Sequence, residues 1–289
     1  MTDSRARAYL RSPIAVAAVL FSVATTVALG GPATTPGMIT FKASYGISIS
    51  GINIGEAVAE SRFFGNTYAA AISGNTSGPS RLVSDASARL AGSGRFSGGR
   101  VLPSTYSLET MENGFATHVR MAMRAGKVTD VSAVPGLLPT KDRVPVTDRN
   151  KIGVVDPMSA FLVPLDGAGG LPNGHKACDR TVKVFDGWTR YDIALYYKAT
   201  QAVDGRAEGY AGPVIVCGAR YVPVAGHRAG GQSVKSMATN TRLEVWLAPV
   251  KGLPVLVPYR ILIGTDLGDL IVYALRFSVD DGAEHAAAK

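Results

Sequence analysis

The sequence predicts a mainly β protein: a single curved antiparallel sheet, a half-barrel or spiral of about ten strands, with one or two short helices. Three observations lead there. Apolar and polar residues alternate along most of the chain. Turn residues interrupt that alternation at short intervals, and few segments keep a helical period.

The first alternating run is Ile39–Ile49, with Ile39, Phe41, Ala43, Tyr45, Ile47 and Ile49 on one face and Thr40, Lys42, Ser44 and Ser48 on the other. Gly51 breaks it, and Ile52–Phe64 returns as the second arm of a hairpin. Thr67–Ser73 follows. Ser104–Met111 and Phe115–Arg124 flank Asn113-Gly114, a strong hairpin signal. Lys127–Val134 comes after Gly126. Thr181–Phe185 and Thr189–Tyr197 flank Asp186-Gly187, and Tyr210–Tyr221, Thr241–Leu247, Val255–Ile263 and Leu270–Val279 complete a meander.

Two segments read as helices. Pro79–Leu90 carries Leu82, Val83, Ala86 and Leu90 at helical intervals. Asp156–Val163 opens with Asp156 as N-cap and Pro157 at the first helical position, and is expected to lie across the mouth of the sheet. Pro135–Val155 reads as an ordered loop or edge, Ala225–Met237 as a flexible glycine-rich loop, and residues 282–289 as a frayed tail. No linker divides the chain, so residues 31–281 are expected to form one domain.

Composition narrows the function classes. The 289 residues are 46% hydrophobic and 18% charged, which excludes a disordered chain, collagen and a coiled coil. Two cysteines and four histidines leave no room for a zinc-finger array or an iron–sulfur cluster. The net charge of +8 is scattered, with no run of three basic residues and no interleaved aromatic stripe, so nucleic acid is not an expected partner.

Residues 1–30 read as a cleaved secretory signal. Arg5, Arg7 and Arg11 form a basic start, Ile14–Val27 is uncharged and apolar, and Ala28-Leu29-Gly30 is a small-x-small site. An uncleaved anchor is the alternative. The expected location is the periplasm, peripheral to a membrane at most. In such a compartment the lone pair Cys178 and Cys217 is expected to close a disulfide; two free buried thiols or a redox pair are the alternatives.

Catalytic signals are weak. Gly92–Gly99 lacks the lysine of a phosphate loop and reads as a loop. His118, His175, His227 and His285 form no ligand spacing, and a nucleophilic Cys178 beside His175 needs a free thiol. Asp156, Asp166, Asp179, Asp186 and Asp192 are the carboxylates available to a sugar hydrolase, each with a capping, turn or surface explanation. No catalytic residue, metal site or cofactor is therefore assigned, and the protein is expected not to be an enzyme.

The C-terminal strands are more informative. Val255–Ile263 is apolar on both faces, as in a strand under a helix or lining an apolar groove, and Pro254 and Pro258 would keep it at an edge or kink it. Candidate groove residues are Trp188, Tyr191, Trp246, Leu256, Tyr259 and Ile261.

The order of several short motifs resembles an uncharacterised-domain family of exported proteins from Gram-negative bacteria. They are Tyr45–Gly55, Asp156–Leu162, Cys178, Val184–Tyr191, Cys217, Val245–Pro249 and Pro258–Ile261, within residues 39–279. The resemblance implies a periplasmic β-rich fold with no assigned reaction. By analogy of fold it is similar to curved-sheet envelope proteins, the lipoprotein carriers LolA and LolB and the envelope-integrity protein EipB. The expected function is non-catalytic support of the cell envelope, by binding a lipid, an acyl chain or an apolar peptide. A protein-binding envelope scaffold without a cavity is the second reading, and an envelope-polymer hydrolase the third.

Overall fold

Alternation builds the sheet. In the first strand Phe41, Ala43 and Tyr45 are buried while Lys42 between them is exposed, and the same period of two recurs from strand to strand. The computed structural model describes residues 37–78, 85–165, 171–205 and 209–281. The expected signal and tail, and Asp166 and His285, lie outside them.

The strands run β1 (Met38–Ile49), β2 (Ile52–Phe64), β3 (Thr67–Thr76), β4 (Ala86–Ser97), β5 (Arg100–Glu112), β6 (Phe115–Arg124) and β7 (Lys127–Val134). After a long connection come β8 (Val163–Pro164), helix α1 (Gly174–Cys178), β9 (Thr181–Phe185), β10 (Arg190–Asp204) and β11 (Ala211–Ala225). Helix α2 (Gln232–Thr239), β12 (Leu243–Pro249), β13 (Val255–Thr265) and β14 (Gly268–Asp280) close the order. One antiparallel 14-stranded sheet results, ordered β7-β6-β5-β4-β3-β2-β1-β14-β13-β12-β11-β10-β9, with β8 beside β13. The fold class is the expected one. The hairpin signal at Asn113-Gly114 also holds: both residues have positive φ, 48° and 85°, as a tight turn matched to the twist of the strands requires.

Both expected helices are corrected. Of Pro79–Leu90, residues 79–84 lie outside the described residues, and the remainder enters β4. Strand period wins there because Leu90, Gly92 and Gly94 stand opposite Ile72, Ala70 and Tyr68 of β3. The glycine stretch is thus a strand and a turn, and not the expected loop. A Cβ on Gly94 would stand 2.5 Å from the Leu102 carbonyl oxygen and 2.7 Å from the Tyr68 hydroxyl, so glycine permits this close approach.

The segment Asp156–Val163 contracts to one 3-10 turn, Ser159–Phe161. Val163 precedes Pro164, which disfavours helical backbone, and it pairs instead with Leu256. Two unpredicted helices replace the predicted ones, α1 and α2, the latter in the stretch expected to be flexible. Strand β13 is central and not an edge. Pro258 sits where Arg260 opposes Trp246 and Pro258 itself opposes Leu247, a bulge that absorbs the missing N–H.

The sheet's outer strands, β7 and β9, are joined by the connection between them. Gly126 O, in the turn before β7, accepts from the N–H of Gly153 (2.7 Å) and Val154 (3.1 Å). Val155 then bonds β9, donating to Lys183 O (2.8 Å) and accepting from Phe185 N–H (3.0 Å). The β9–β10 turn also touches β6: a Cβ on Gly187 would lie 2.6 Å from Val119 Cγ1. The Trp188 indole N–H donates to Pro135 O (2.8 Å).

Two buried clusters fill the interior. The larger joins β1–β7 to Met158, Leu162, Phe185 and the ends of β13 and β14. The smaller surrounds the disulfide Cys178–Cys217, whose Cα atoms are 5.4 Å apart, with Val163, Ile215, Leu247 and Leu256. The bond ties α1 to β11 across β10, and both cysteines are fully buried. The closed loop has a sequence separation of 39. Loop-closure entropy makes such a crosslink worth about 4 kcal/mol. We predict that Cys178→Ser lowers unfolding free energy by a few kcal/mol, read as a lower urea midpoint with a somewhat steeper slope, because the unfolded chain without the crosslink exposes more surface. Superposable curves for the variant and the oxidised protein would refute this.

Candidate functional site

Register places one apolar row across five strands. Val182 and Val184 of β9 stand opposite Ile193 and Tyr191 of β10, and Leu195 opposes Ala219 of β11. On the other side Val245 opposes Ile261, and Leu243 opposes Ile263. These side chains share one face, and with Leu247 and Pro258 they line a cavity of about 330 Å³. Pro157, Ala160 and Phe161 cover it from the connection, and Met237 from α2. Its size lies at the lower end of the range of ligand pockets, roughly 300–1,000 Å³. Glu244, the one charged residue of the lining among the described residues, has its carboxylate taken by Lys198 and the Trp246 indole N–H. Burial pushes its pKa up, but these two donors outweigh burial and hold it low.

The covering segment is fixed by Asp156, which is fully buried. Its carboxylate accepts from Ser159 N–H (2.9 Å) and from the Ser159 hydroxyl (2.5 Å), and the Tyr68 hydroxyl stands 2.6 Å from that same oxygen. Burial pushes the carboxyl above its ordinary value, and the serine bonds recover only part of this. Burial likewise raises the hydroxyls of Tyr68, Tyr106 and Tyr191, with the Asp156 charge adding to it. The interior therefore presents neutral phenols around one capped carboxyl.

The structure brings together two of the six candidate groove residues, Tyr191 and Ile261, in the cavity lining. Leu256 is fully buried beside the disulfide. Trp188 packs on the larger cluster, as does Tyr259, which also faces Tyr210 with ring centroids 6.2 Å apart. Trp246 lies under Arg260, whose guanidinium carbon stands 5.0 Å from the ring centroid. Sequence reasoning passed over Val182, Ile193, Leu195, Leu243, Val245 and Ile263. Their alternation was the available signal: Leu243, Val245 and Leu247 repeat every second residue, as do Tyr191, Ile193 and Leu195.

The candidate carboxylates are engaged elsewhere. Asp186 holds the β9–β10 turn through Trp188 N–H (2.8 Å), Thr189 N–H (2.6 Å) and the Thr189 hydroxyl (2.6 Å). Asp179 accepts from Tyr197 N–H (3.0 Å) and pairs with His175 (2.8 Å), which holds it below its usual range. Asp192 pairs with Arg190 at 2.6 Å. The disulfide leaves Cys178 no free thiol for a nucleophilic role beside His175. Among the described residues, no group of three or more His, Cys, Asp or Glu could hold a metal ion.

Two further depressions carry charged residues among a mainly apolar lining. One of about 580 Å³ lies between the β4–β5 and β6–β7 turns, the connection and the start of β9, and includes Arg100, Lys176, Arg180 and Lys183. Another of about 850 Å³ spreads over the outer face of β2–β6, where short side chains such as Ala69, Ala71 and Ser93 alternate with Arg62, Arg89 and Arg120.

A barrel-like sheet with an apolar cavity under its covering segment defines the class. The chain belongs to the family described as "Protein of unknown function (DUF3108)", which residues 40–276 match. Among solved structures it is similar to a beta-barrel-like protein of the domain of unknown function DUF1849 from Brucella abortus. The two are 9% identical with a TM-score of 0.46, over 84% of this chain and 98% of that one. No curated protein matches the sequence significantly.

Because folding raises the pKa of Asp156 above the 3.8 of a free side chain, the folded state favours the protonated form. Its contribution is then fully present below pH 3.8 and is lost as pH rises through the raised value. We predict that Asp156→Asn, which keeps the acceptor without the charge, becomes more stable relative to wild type as pH rises from the acid range to neutrality. Asp156→Ala removes the cap from the Ser159 N–H and leaves the Ser159 hydroxyl only its Tyr68 partner, for a loss of about 3 kcal/mol in the acid range that shrinks as pH rises, because the variant has no buried carboxyl to ionise. Urea titrations across pH test both; a constant difference between wild type and Asp156→Asn would refute the first.

Proposed function

We propose that this protein is a non-catalytic periplasmic protein that supports the cell envelope by holding an acyl chain in the cavity beneath Pro157–Phe161 and α2. The observation that carries this reading is the row of apolar side chains across β9–β13, which the covering segment roofs without filling. A packed core closes such space at crystal-like density, and an apolar pocket that stays partly open suits a hydrocarbon guest entering from solvent. The buried disulfide supports an oxidising compartment. The engagement of each described candidate carboxylate in a cap, turn or ion pair supports a role without catalysis.

The acyl-chain reading is preferred over a scaffold that binds through its sheet edges. Backbone groups at the β9 edge are occupied by Val155, which leaves less edge to recruit another strand.

The test is native mass spectrometry of the protein recovered gently from a bacterial periplasm, before and after organic extraction. We expect an extractable acyl-chain compound, absent from Ala219→Trp, in which an indole fills the cavity from β11 while circular dichroism stays as in wild type. A bare mass in the wild-type protein, with no uptake of added lipid, would overturn the reading.

A further inference from the structure

The apolar cavity and the basic cleft meet. Ala160, Val163 and Val182 line both. Strand β9 explains why they meet there. On its outer side it is paired only at Val184, by Val155, while Thr181 and Val182 have no strand beyond them among the described residues. The sheet therefore has a seam between Val182 and the covering segment, apolar on its inner side and basic on its outer side.

Among the described residues, the lining of the cleft includes no acid. The Arg180 guanidinium is tied to Lys176 O at 2.7 Å, at the end of α1. Arg100, Lys176 and Lys183 are exposed and pair with no carboxylate among the described residues. The nearest acid in sequence, Asp179, is taken by His175 and the Tyr197 N–H. Three free cations from three elements thus surround a space of about 580 Å³, larger than a carboxylate needs and suited to a group with several acceptor oxygens. The cavity of about 330 Å³ on the inner side has room for one chain rather than two.

We propose that cavity and cleft are two halves of one site for a phosphate-bearing, single-chain amphiphile: the tail passes the seam at Val182 into the apolar cavity, and the head group stays outside on Arg100, Lys176 and Lys183. This rests on the acyl-chain reading above and adds the head group's chemistry and the route of entry. The charges steer and select the head group, while the tail supplies most of the affinity.

The test compares two lipids with the same tail, oleoyl-lysophosphatidylglycerol and monooleoylglycerol, on full-length protein recovered from the periplasm and stripped of bound lipid. Wild type is expected to prefer the phosphate lipid by about tenfold or more, a preference that shrinks as salt is raised. The combined variant Arg100→Glu, Lys176→Glu, Lys183→Glu is expected to abolish that preference. Val182→Trp, which closes the seam, is expected to slow uptake of both lipids. Equal affinity of wild type for the two lipids, or a preference that survives both salt and charge reversal, overturns the head-group site and leaves the acyl-chain reading standing. Glycerol 3-phosphate binding as tightly as the lysolipid would also overturn it, as a site for soluble phosphate. If neither lipid binds, the acyl-chain reading itself fails. Should the charge-reversed variant not fold, the salt dependence of the wild-type preference decides alone.

Discussion

The bond pattern of four residues, Ile152–Val155, holds the architecture together. A wide sheet twists and curls until its edges approach, and each edge carries unpaired backbone groups. Here Gly153 and Val154 bond the turn before β7, and Val155 bonds β9, so one short span serves both edges. The next residue, Asp156, turns the chain inward beneath the sheet, and its serine partner holds the cover over the cavity. Edge protection, interior filling and the cavity's roof thus depend on the same stretch of chain. This arrangement accounts for a fully buried carboxyl at that place: its function there is geometric, and its ionisation opposes folding.

Much of this was legible in the sequence because period two survives wherever one face of a strand is buried. The runs Phe115–Arg124, Lys127–Val134 and Thr181–Phe185 match the observed strands at both ends. The failures at the end of Pro79–Leu90 and at Asp156–Val163 share a cause, since both border the crowded interior, whereas α2 buries no residue. In the sequence Leu82, Val83, Ala86 and Leu90 imitate a helical stripe, yet Leu90 shares its strand face with Gly92 and Gly94, which serve as space for Met158 and Tyr68. Local pattern cannot report such space, because it is set by residues more than sixty positions away or from another strand. Capping at Asp156 was readable; that the helix would stop after one turn depended on Val163 finding Leu256.

The site divides along the same line. Alternation implied an apolar face in the C-terminal strands, but choosing large aromatic residues favoured Trp188, Trp246 and Tyr259, which are occupied by an indole hydrogen bond, a cation and another ring. The cavity is instead lined chiefly by aliphatic residues of middling size, whose joint presence on one face follows from cross-strand register. Register is a long-range property, fixed here by bulges at Tyr197–Ala199 and Trp246–Leu247 that no short motif announces. The basic cleft was equally hidden, because its cations come from three separated parts of the chain.

Strand order carries a consequence for assembly. The first and last strands are neighbours in the middle of the sheet, with Thr40 opposite Asp280 and Ile49 opposite Leu270. Strands β1–β7 form a meander of adjacent pairings that can zip progressively as the chain emerges, while the bonding rim of β1 waits for β14. Until then each half presents an unprotected strand to any chain nearby, including another copy in the same condition. The pairing that completes the sheet is therefore the one that joins its most distant segments, and the thirteen-residue strand β14 is the element that covers the open rim of β1.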